Sequence, residues 1–286
     1  MKQALQVERV HNPSQEVFER DYVARGRPAV LTGALDSWRA LSTWTPEYFR
    51  SRVGDRRVSV EHRLGGNMTY YEHLRDMTLS EYFELMEAGQ REYFLTDQRL
   101  DRVVPELLAD VPTPSFVHNA DAFVFFGRNT FAAMHYHSDD QALLCQVVGH
   151  KRILLYSPDD FARLYSESWF SPRFNYSRID FSQPELVDSQ VFPALKDAQP
   201  YECTLAPGEA LFIPLHWWHS TYGQELSFSI TYFWLAQRSA WRYRSPGLRT
   251  FAASTLVKYV YRPASRVRAL ETLYYSLRRR LRAGVS

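Results

Sequence analysis

Seven short apolar or alternating runs constrain the fold of this chain more than any other feature of its sequence. Each run has the length of a β-strand, and glycine, proline and aspartate turns separate the runs, which is typical of antiparallel sandwiches and barrels. We therefore predict a mainly β fold with flanking helices. The runs lie at residues 122–126, 131–137, 142–148, 152–156, 201–205, 210–213 and 226–235.

Helical patterns flank this strand-rich part on both sides. Residues 13–110 combine periodic segments with short extended pieces, and Thr45-Pro46-Glu47 has the form of a helix cap with proline in the first turn. Residues 248–286 return to helical spacing. We predict one structural unit in three parts: an N-terminal helical and extended support region (1–120), a barrel core (121–240) and a basic helical C-terminal extension (241–286).

Composition limits the class of protein. Hydrophobic residues make up 45% of the 286 residues and charged residues 23%, so a sizeable core can form. No apolar run approaches the ~18 residues of a membrane helix, and the N-terminal residues have no apolar signal region. The two cysteines, Cys145 and Cys203, are too few for a disulfide framework and suit a reducing compartment. We expect a soluble, cytoplasmic protein.

Two histidines in the strand-rich part have the spacing of metal ligands. His135 and His137 are two residues apart in Met-His-Tyr-His-Ser-Asp, and residues two apart on a strand project from the same face. A turn, a short apolar strand, a proline and an aromatic stretch at 207–218 lead to His219, which can complete a triad from a distant strand. A pair of core or surface histidines is the alternative reading, but the two signals together favour metal binding.

The motifs around these histidines resemble a known family. The segments GRNTFAAMHYHSDDQALLCQVVGHKRILLYSPD at 127–159, APGEALFIPLHWWHSTYG at 206–223 and LSFSITYFW at 226–234 are similar to the JmjC fold of iron(II)- and 2-oxoglutarate-dependent hydroxylases. Within that family they resemble the cupin-like branch that includes the factor-inhibiting-HIF asparaginyl hydroxylase. The resemblance covers roughly residues 20–240 and implies a double-stranded β-helix of the jelly-roll or cupin type.

The metal motif departs from the family pattern, in which H-x-D supplies one histidine and one carboxylate. If His135 and His219 match the two family histidines, His137 occupies the carboxylate position; if His137 matches the first histidine, Asp139 restores H-x-D. We favour the first register, because AAMH matches the small residues that precede the first family histidine. The metal ligands expected for iron(II) are then His135, His137 and His219.

The resemblance also implies a site for 2-oxoglutarate. The family anchors the distal carboxylate of this co-substrate with a lysine in G-x-K-R, and Gly-His-Lys-Arg at 149–152 places Lys151 there as a charged donor. The family uses hydroxyl or amide groups around the same carboxylate. On the last predicted strand Ser229 and Thr231 share a polar face at period two, and they are the expected contacts.

The function that follows from the resemblance is that of an oxidoreductase, a dioxygenase that uses Fe(II), 2-oxoglutarate and O2 to hydroxylate a C–H bond. The substrate would be a peptide, an amino acid or a natural product, and the loop at 166–200 offers only generic aromatic and polar side chains to choose among them. The alternative is a cupin that binds a metal or small molecule without turnover, having lost the metal carboxylate.

The basic residues concentrate in the C-terminal extension. The chain carries a net charge of +2, but residues 262–286 hold seven arginines and one acid. Leu270, Leu273, Tyr274 and Leu277 form an apolar stripe at helical spacing there. In the resembled branch C-terminal helices commonly form a homodimer interface, so we expect a homodimer through these helices, no membrane contact, and a nucleic-acid role only as the weaker alternative.

Overall fold

Two mixed β-sheets form the centre of the structure, a computed structural model that describes residues 2–63, 74–168, 171 and 173–236. None of the helices in these ranges is long and apolar enough to cross a membrane. The strands are β1 (Leu5–Gln6), β2 (Arg9–His11), β3 (Ala29–Thr32), β4 (Arg57–His62), β5 (Leu74–Thr78), β6 (Tyr93–Arg99), β7 (Asp121–Arg128), β8 (Phe131–His135), β9 (Asp140–Val148), β10 (Lys151–Tyr156), β11 (Pro200–Leu205), β12 (Ala210–Ile213), β13 (Trp218–Gly223) and β14 (Leu226–Leu235).

The smaller sheet has the strand order β1-β11-β10-β13-β8, and the larger has the order β2-β3-β12-β9-β14-β7-β6-β4-β5. All pairings of the described strands are antiparallel except β1 with β11 and β2 with β3. Side chains of both sheets share one buried apolar cluster, which closes the sheets on each other. The predicted mainly β, jelly-roll or cupin fold is therefore confirmed. That cluster includes Val30, Leu144, Ile153, Leu155, Leu211 and Ile213.

Short helices cover the outer face of the larger sheet. They are α1 (Gln15–Phe18), which continues into a wider turn over Glu19–Val23, α2 (Ala40–Thr43), α3 (Pro46–Val53), α4 (Leu79–Glu87) and α5 (Leu100–Val103). Tighter helical turns lie at Pro105–Asp110, Pro158–Leu164, Pro184–Leu186 and Pro193–Asp197.

The start signals of the two longer helices act as their residue types predict. The Thr45 hydroxyl accepts from the Tyr48 N–H at 3.1 Å, and Thr78 and Glu81 form a reciprocal capping box. Helix α3 then packs Phe49 edge-on against Phe126 of β7, with ring centroids 5.5 Å apart. This aromatic layer packs α3 against the outer face of the larger sheet.

Strand β14 links this layer to the barrel interior. Phe228, Ile230 and Tyr232 belong to the aromatic core under the helices. Since side chains alternate along a strand, Ser229 and Thr231 face the opposite way, into the space between the sheets. Both are buried. The polar face predicted for this strand is thus an interior face.

Several strands lie where the sequence patterns did not indicate them. The predicted support region contributes β4, β5 and β6 to the larger sheet, and β6 pairs with β7 across the predicted boundary at residue 120. Their signal is weak because these strands carry arginine, serine and aspartate on their exposed side. Strand β13 was also missed, since its sequence WHSTYG contains no apolar run. The predicted extension 241–286 lies outside the described residues, and the three-part division stays a prediction.

Candidate metal centre and co-substrate site

Three histidines meet where β8 ends and β13 begins. His135 is the last residue of β8, and it lies directly opposite His219, the second residue of β13, in the antiparallel pairing. One ring nitrogen from each of His135, His137 and His219 can be chosen so that all three lie within 4.8 Å of one another. Imidazole nitrogens at this spacing are a donor set that iron, zinc and copper accept.

Backbone carbonyls fix two of the three rings. The Nδ1 atom of His135 lies 2.8 Å from the carbonyl oxygen of Ala133, and that of His219 lies 3.0 Å from the carbonyl oxygen of Trp217. A carbonyl oxygen only accepts, so each Nδ1 carries the proton and donates it. Each Nε2 then presents its lone pair, the tautomer that a metal ligand needs.

His137 reaches the cluster from a loop and not from a strand. The sequence pattern placed His137 on the strand of His135, but β8 ends at His135. The ring centroid of His137 nevertheless lies 4.6 Å from that of His219, and Phe233 of β14 packs edge-on against His137 at 5.1 Å. The Nδ1 atom of His137 is buried without a hydrogen-bond partner among the described residues. A metal ion bound in the cluster would give this buried nitrogen a partner.

The environment keeps all three imidazoles neutral. Burial lowers the pKa of His135, and burial together with the neighbouring His135 lowers the pKa of His137 to about 3. The pKa of His219 falls well below its usual value, mainly through burial and then through the two neighbouring rings. A neutral imidazole is the form that binds a metal, so protons compete weakly here at neutral pH.

No carboxylate joins the cluster. Among the histidines, cysteines, aspartates and glutamates that the structure describes, the three histidines alone meet within 4.8 Å. The Asp139 carboxylate instead accepts a hydrogen bond from the Ser138 hydroxyl at 3.0 Å. The Asp139 carboxylate therefore lies outside the histidine cluster in this structure.

A segment from the long loop holds the end of β8. Tyr136 N–H donates to the carbonyl of Asn175 at 3.0 Å, and Ser177 N–H donates to the carbonyl of Met134 at 2.9 Å. The ring of Tyr176 stacks on His135 with centroids 5.2 Å apart and planes 15° apart. From the sequence alone Tyr176 is one of several generic loop aromatics, because only the folded chain pairs this loop with β8.

Two of the three predicted co-substrate residues, Lys151 and Ser229, are in contact. The Lys151 ammonium crosses from β10 of the smaller sheet and donates to the Ser229 hydroxyl of β14 at 2.5 Å. Lys151 is 3% exposed, and no carboxylate of the described residues lies within ion-pair distance of it. Burial lowers its pKa to about 7. Thr231 lies two residues further along the same face and is buried, but the contact seen for Lys151 is with Ser229.

The turn before Lys151 depends on glycine. Gly149 has φ +70°, a left-handed conformation that side chains with a Cβ rarely adopt. A Cβ at this position would also collide with the carbonyl oxygen of Leu226. The glycine of the G-x-K-R motif therefore lets the turn pass close to β14, which brings Lys151 to Ser229.

The cupin-like domain model matches residues 14–240, most of the chain. The chain belongs to the cupin-like domain family. The aligned range of this cupin-like chain contains all six predicted site residues and every described strand except β1 and β2.

Curated relatives of this cupin-like chain include JmjC proteins. It is 33% identical over 239 residues to lysine-specific demethylase 8 of Xenopus tropicalis (80% of this chain, 52% of the relative) and 32% identical over 241 residues to Jumonji C domain-containing protein 5 of Drosophila melanogaster (78% and 58%). It is 30% identical over 249 residues to tRNA wybutosine-synthesizing protein 5 of Danio rerio (77% and 72%). The chain spans about half to three-fifths of the length of the first two.

These relatives place the chain in the cupin-like JmjC domain family, whose enzymes use iron(II) and 2-oxoglutarate. The residues present fit both groups. Three neutral imidazoles suit a divalent transition metal, and one of them has a buried nitrogen without a partner among the described residues. A buried ammonium that meets no carboxylate of the described residues suits a dicarboxylate. The cluster that the structure describes consists of three histidines, whereas the resembled family pattern is H-x-D.

Proposed function

We propose that this protein is an Fe(II)- and 2-oxoglutarate-dependent dioxygenase that hydroxylates a C–H bond of a peptide, amino-acid or natural-product substrate. One observation carries the proposal: the buried Lys151 ammonium lies between the sheets with a hydroxyl as its partner and no carboxylate of the described residues. An uncompensated buried cation is costly, so its retention indicates an anionic ligand. That ligand is a dicarboxylate in the cupin-like JmjC family.

The roles of the residues follow from their positions. His135, His137 and His219 would hold iron(II), and Lys151 with Ser229 and Thr231 would hold the distal carboxylate of 2-oxoglutarate. Iron(II), 2-oxoglutarate and O2 together supply the oxidising power for hydroxylation, while the barrel orients the reactants and limits water. Hydrogen bonds from Nδ1 to backbone carbonyls hold His135 and His219 in the ligating tautomer.

The substrate and the branch of the family belong to the proposal. The relatives' names refer to a lysine demethylase and to tRNA wybutosine synthesis, and the sequence motifs resemble the factor-inhibiting-HIF branch. A peptide, an amino acid and a natural product all remain in the substrate class proposed here. The cytoplasm is the proposed compartment.

An anaerobic titration tests the oxygenase proposal. The purified protein is loaded with iron(II), titrated with 2-oxoglutarate and followed by visible absorption, where a metal-to-ligand charge-transfer band is expected. Admission of O2 should then yield succinate, at a rate that rises with an accepted substrate. A protein that binds iron(II) but gives neither the band nor succinate contradicts the oxygenase proposal.

A second candidate function has one observation in its favour. The metal cluster contains three histidines and no carboxylate among the described residues. Iron(II) held by three neutral imidazoles has a higher net charge than iron(II) held by two imidazoles and a carboxylate, and this changes its reactivity toward oxygen. A cupin that binds metal or a small molecule without turnover would show tight metal binding and no succinate in the same experiment.

The proposed homodimer rests on the C-terminal extension, which lies outside the described residues. The apolar stripe of residues 270–277 would meet its two-fold mate. Truncation after residue 261 should convert a dimer into a monomer in light scattering. A full-length protein that is already monomeric at micromolar concentration contradicts the dimer.

A further inference from the structure

A buried glutamine connects the two residues of the proposed carboxylate anchor. The Oε1 atom of Gln146 on β9 accepts a hydrogen bond from the Ser229 hydroxyl at 2.7 Å. The Nε2 atom donates to the carbonyls of Val148 at 2.7 Å and Gly149 at 3.0 Å, within the turn that leads to Lys151. Gln146 is fully buried. It therefore touches both the partner of Lys151 and the backbone that carries Lys151.

A β-bulge brings Gln146 to this place. In the pairing of β14 with β9, Phe228 lies opposite Val148, but Ser229 lies opposite Gln146, so Val147 is the extra residue. Without this shift Ser229 would face Val147, an apolar residue. Bulges re-aim side chains at functional sites, and this one sets a glutamine against a serine in the barrel interior.

The directions of these hydrogen bonds are fixed by chemistry. The two carbonyls only accept, so the end of Gln146 that faces them is the NH2 group and the end that faces Ser229 is the carbonyl oxygen. The single hydroxyl proton of Ser229 is then committed to Gln146. The Ser229 oxygen must offer a lone pair to Lys151, whose ammonium is a donor with no acceptor capacity.

We propose that Gln146 is a positioning residue for co-substrate binding, which fixes the Ser229 hydroxyl as an acceptor for Lys151 and so orients the ammonium toward the distal carboxylate of 2-oxoglutarate. The inference rests on the proposed function. It adds that the lysine is not a freely rotating cation: Ser229 takes one of its three N–H donors, and the others are left to face the barrel interior. Without Gln146, the Ser229 proton could turn toward Lys151 and oppose its charge.

The test is a double-mutant cycle on binding, not on turnover. The dissociation constant of 2-oxoglutarate is measured by anaerobic calorimetry on the iron(II)-loaded full chain for wild type, Gln146→Met, Ser229→Ala and the double variant. A neutral hydrogen bond of this kind is worth about three- to tenfold in affinity, so Gln146→Met should weaken binding by that factor. Because Gln146 acts through Ser229, removal of both should have little further effect. The double variant should bind 2-oxoglutarate at most about twofold more weakly than Ser229→Ala does.

The pH profile separates positioning from a structural effect. In Gln146→Met the Ser229 proton loses its acceptor and can turn toward Lys151, which should disfavour the ammonium and lower its pKa. The pH above which 2-oxoglutarate affinity declines should therefore move downward in this variant. A purely structural role for Gln146 predicts weaker folding with an unmoved pH profile.

Gln199→Met is the matched control, because the Gln199 amide also donates to two backbone carbonyls, those of Gln3 at 3.0 Å and Pro200 at 3.1 Å. It should leave 2-oxoglutarate affinity unchanged. If the wild type binds 2-oxoglutarate and Gln146→Met binds it equally, or the two single effects simply add, the positioning role is overturned and the proposed function stands. If the iron-loaded wild type does not bind 2-oxoglutarate, both are overturned.

Discussion

The Nζ atom of Lys151 lies 2.5 Å from Oγ of Ser229, across the space between the two sheets. A charge in that space has lost most of its hydration, and a single hydroxyl replaces little of it. The arrangement is therefore unfavourable for the empty protein and favourable once an anion arrives. Such a residue costs stability, and the proposed binding of a carboxylate at this place would explain why it is buried.

Replacement of Lys151 by methionine separates these two effects. Lys151→Met removes the buried ammonium and keeps most of the side-chain volume, so the protein without co-substrate should melt about 2 °C or more above the wild type at pH 7. The same change should raise the 2-oxoglutarate requirement by about tenfold or more, because a charge-assisted contact contributes roughly 1.5 to 3 kcal/mol. Differential scanning calorimetry and 2-oxoglutarate titration measure the two effects. A less stable variant with unchanged co-substrate affinity would assign Lys151 a structural role.

The stability difference should depend on pH in a defined direction. Burial lowers the pKa of Lys151 from 10.5 to about 7, so between these values the unfolded chain binds more protons than the folded chain. The destabilisation of the wild type by buried Lys151 therefore decreases as the pH rises from about 7 to 10.5. Below pH 7 this destabilisation is constant. The difference in melting temperature between Lys151→Met and wild type should shrink over that range. A difference that stays constant from pH 7 to 10 contradicts the lowered pKa.

Binding of 2-oxoglutarate should show the complementary dependence. Above pH 7 the ammonium of the empty protein loses its proton, and a neutral amine is a poor partner for a carboxylate. The affinity should fall by up to about tenfold per pH unit above that point, since binding must then take up one proton. Calorimetry in two buffers of different ionisation enthalpy detects that proton directly. Binding at pH 8.5 without proton uptake would mean that Lys151 is charged before 2-oxoglutarate arrives.

The apolar runs bounded by turns predicted an antiparallel sandwich or barrel, and the family resemblance implied the jelly-roll class. The spacing of the histidine pair predicted His135 and His137 on one strand. This strand assignment is wrong, because β8 ends at His135 and His137 follows in a loop. The hydrogen bond from the Tyr136 N–H to the carbonyl of Asn175 fixes the chain between them. No spacing rule reveals a contact with a residue almost forty positions further along the chain.

The position of Gln146 beside Ser229 was not predicted from the sequence, for a related reason. Simple alternation along β9 does not predict that it faces Ser229, because the bulge beside Val147 shifts the register by one residue. Strand β13 was not predicted because its buried residues include Trp218 and His219 and it contains no aliphatic run. The resemblance supplied the role expected of Lys151, but the hydroxyl, the amide and the turn that hold it are tertiary features.

The glycine before Lys151 gives a test of how the turn supports the anchor. Gly149→Ala places a Cβ against the carbonyl oxygen of Leu226 at φ +70°, so it should destabilise the protein by more than the ~1 kcal/mol expected for a left-handed alanine alone. It should also weaken 2-oxoglutarate binding. Gly89→Ala is the matched control: its φ is +80°, but no atom lies within 4 Å of the added Cβ. Equal destabilisation by both variants would show that the contact with β14 is unimportant.

The metal ligands can be assigned by alanine substitution. Each of His135, His137 and His219 lies in the cluster, so each alanine variant should weaken iron(II) binding by about 100-fold or more, measured anaerobically by competition with a chelator of known affinity. Asp139→Ala should retain iron, because the structure places its carboxylate beside the Ser138 hydroxyl and outside the cluster. His150→Ala is the control for loss of any histidine, as His150 is half-exposed and pairs with Glu225.

Melting curves of the metal-free variants separate ligand loss from unfolding. Burial holds these histidines neutral, so their removal leaves no unpaired charge in the core. If Asp139→Ala loses its iron while His135→Ala keeps it, the ligand set is His137, Asp139 and His219, and the loop after β8 must rearrange when the metal binds.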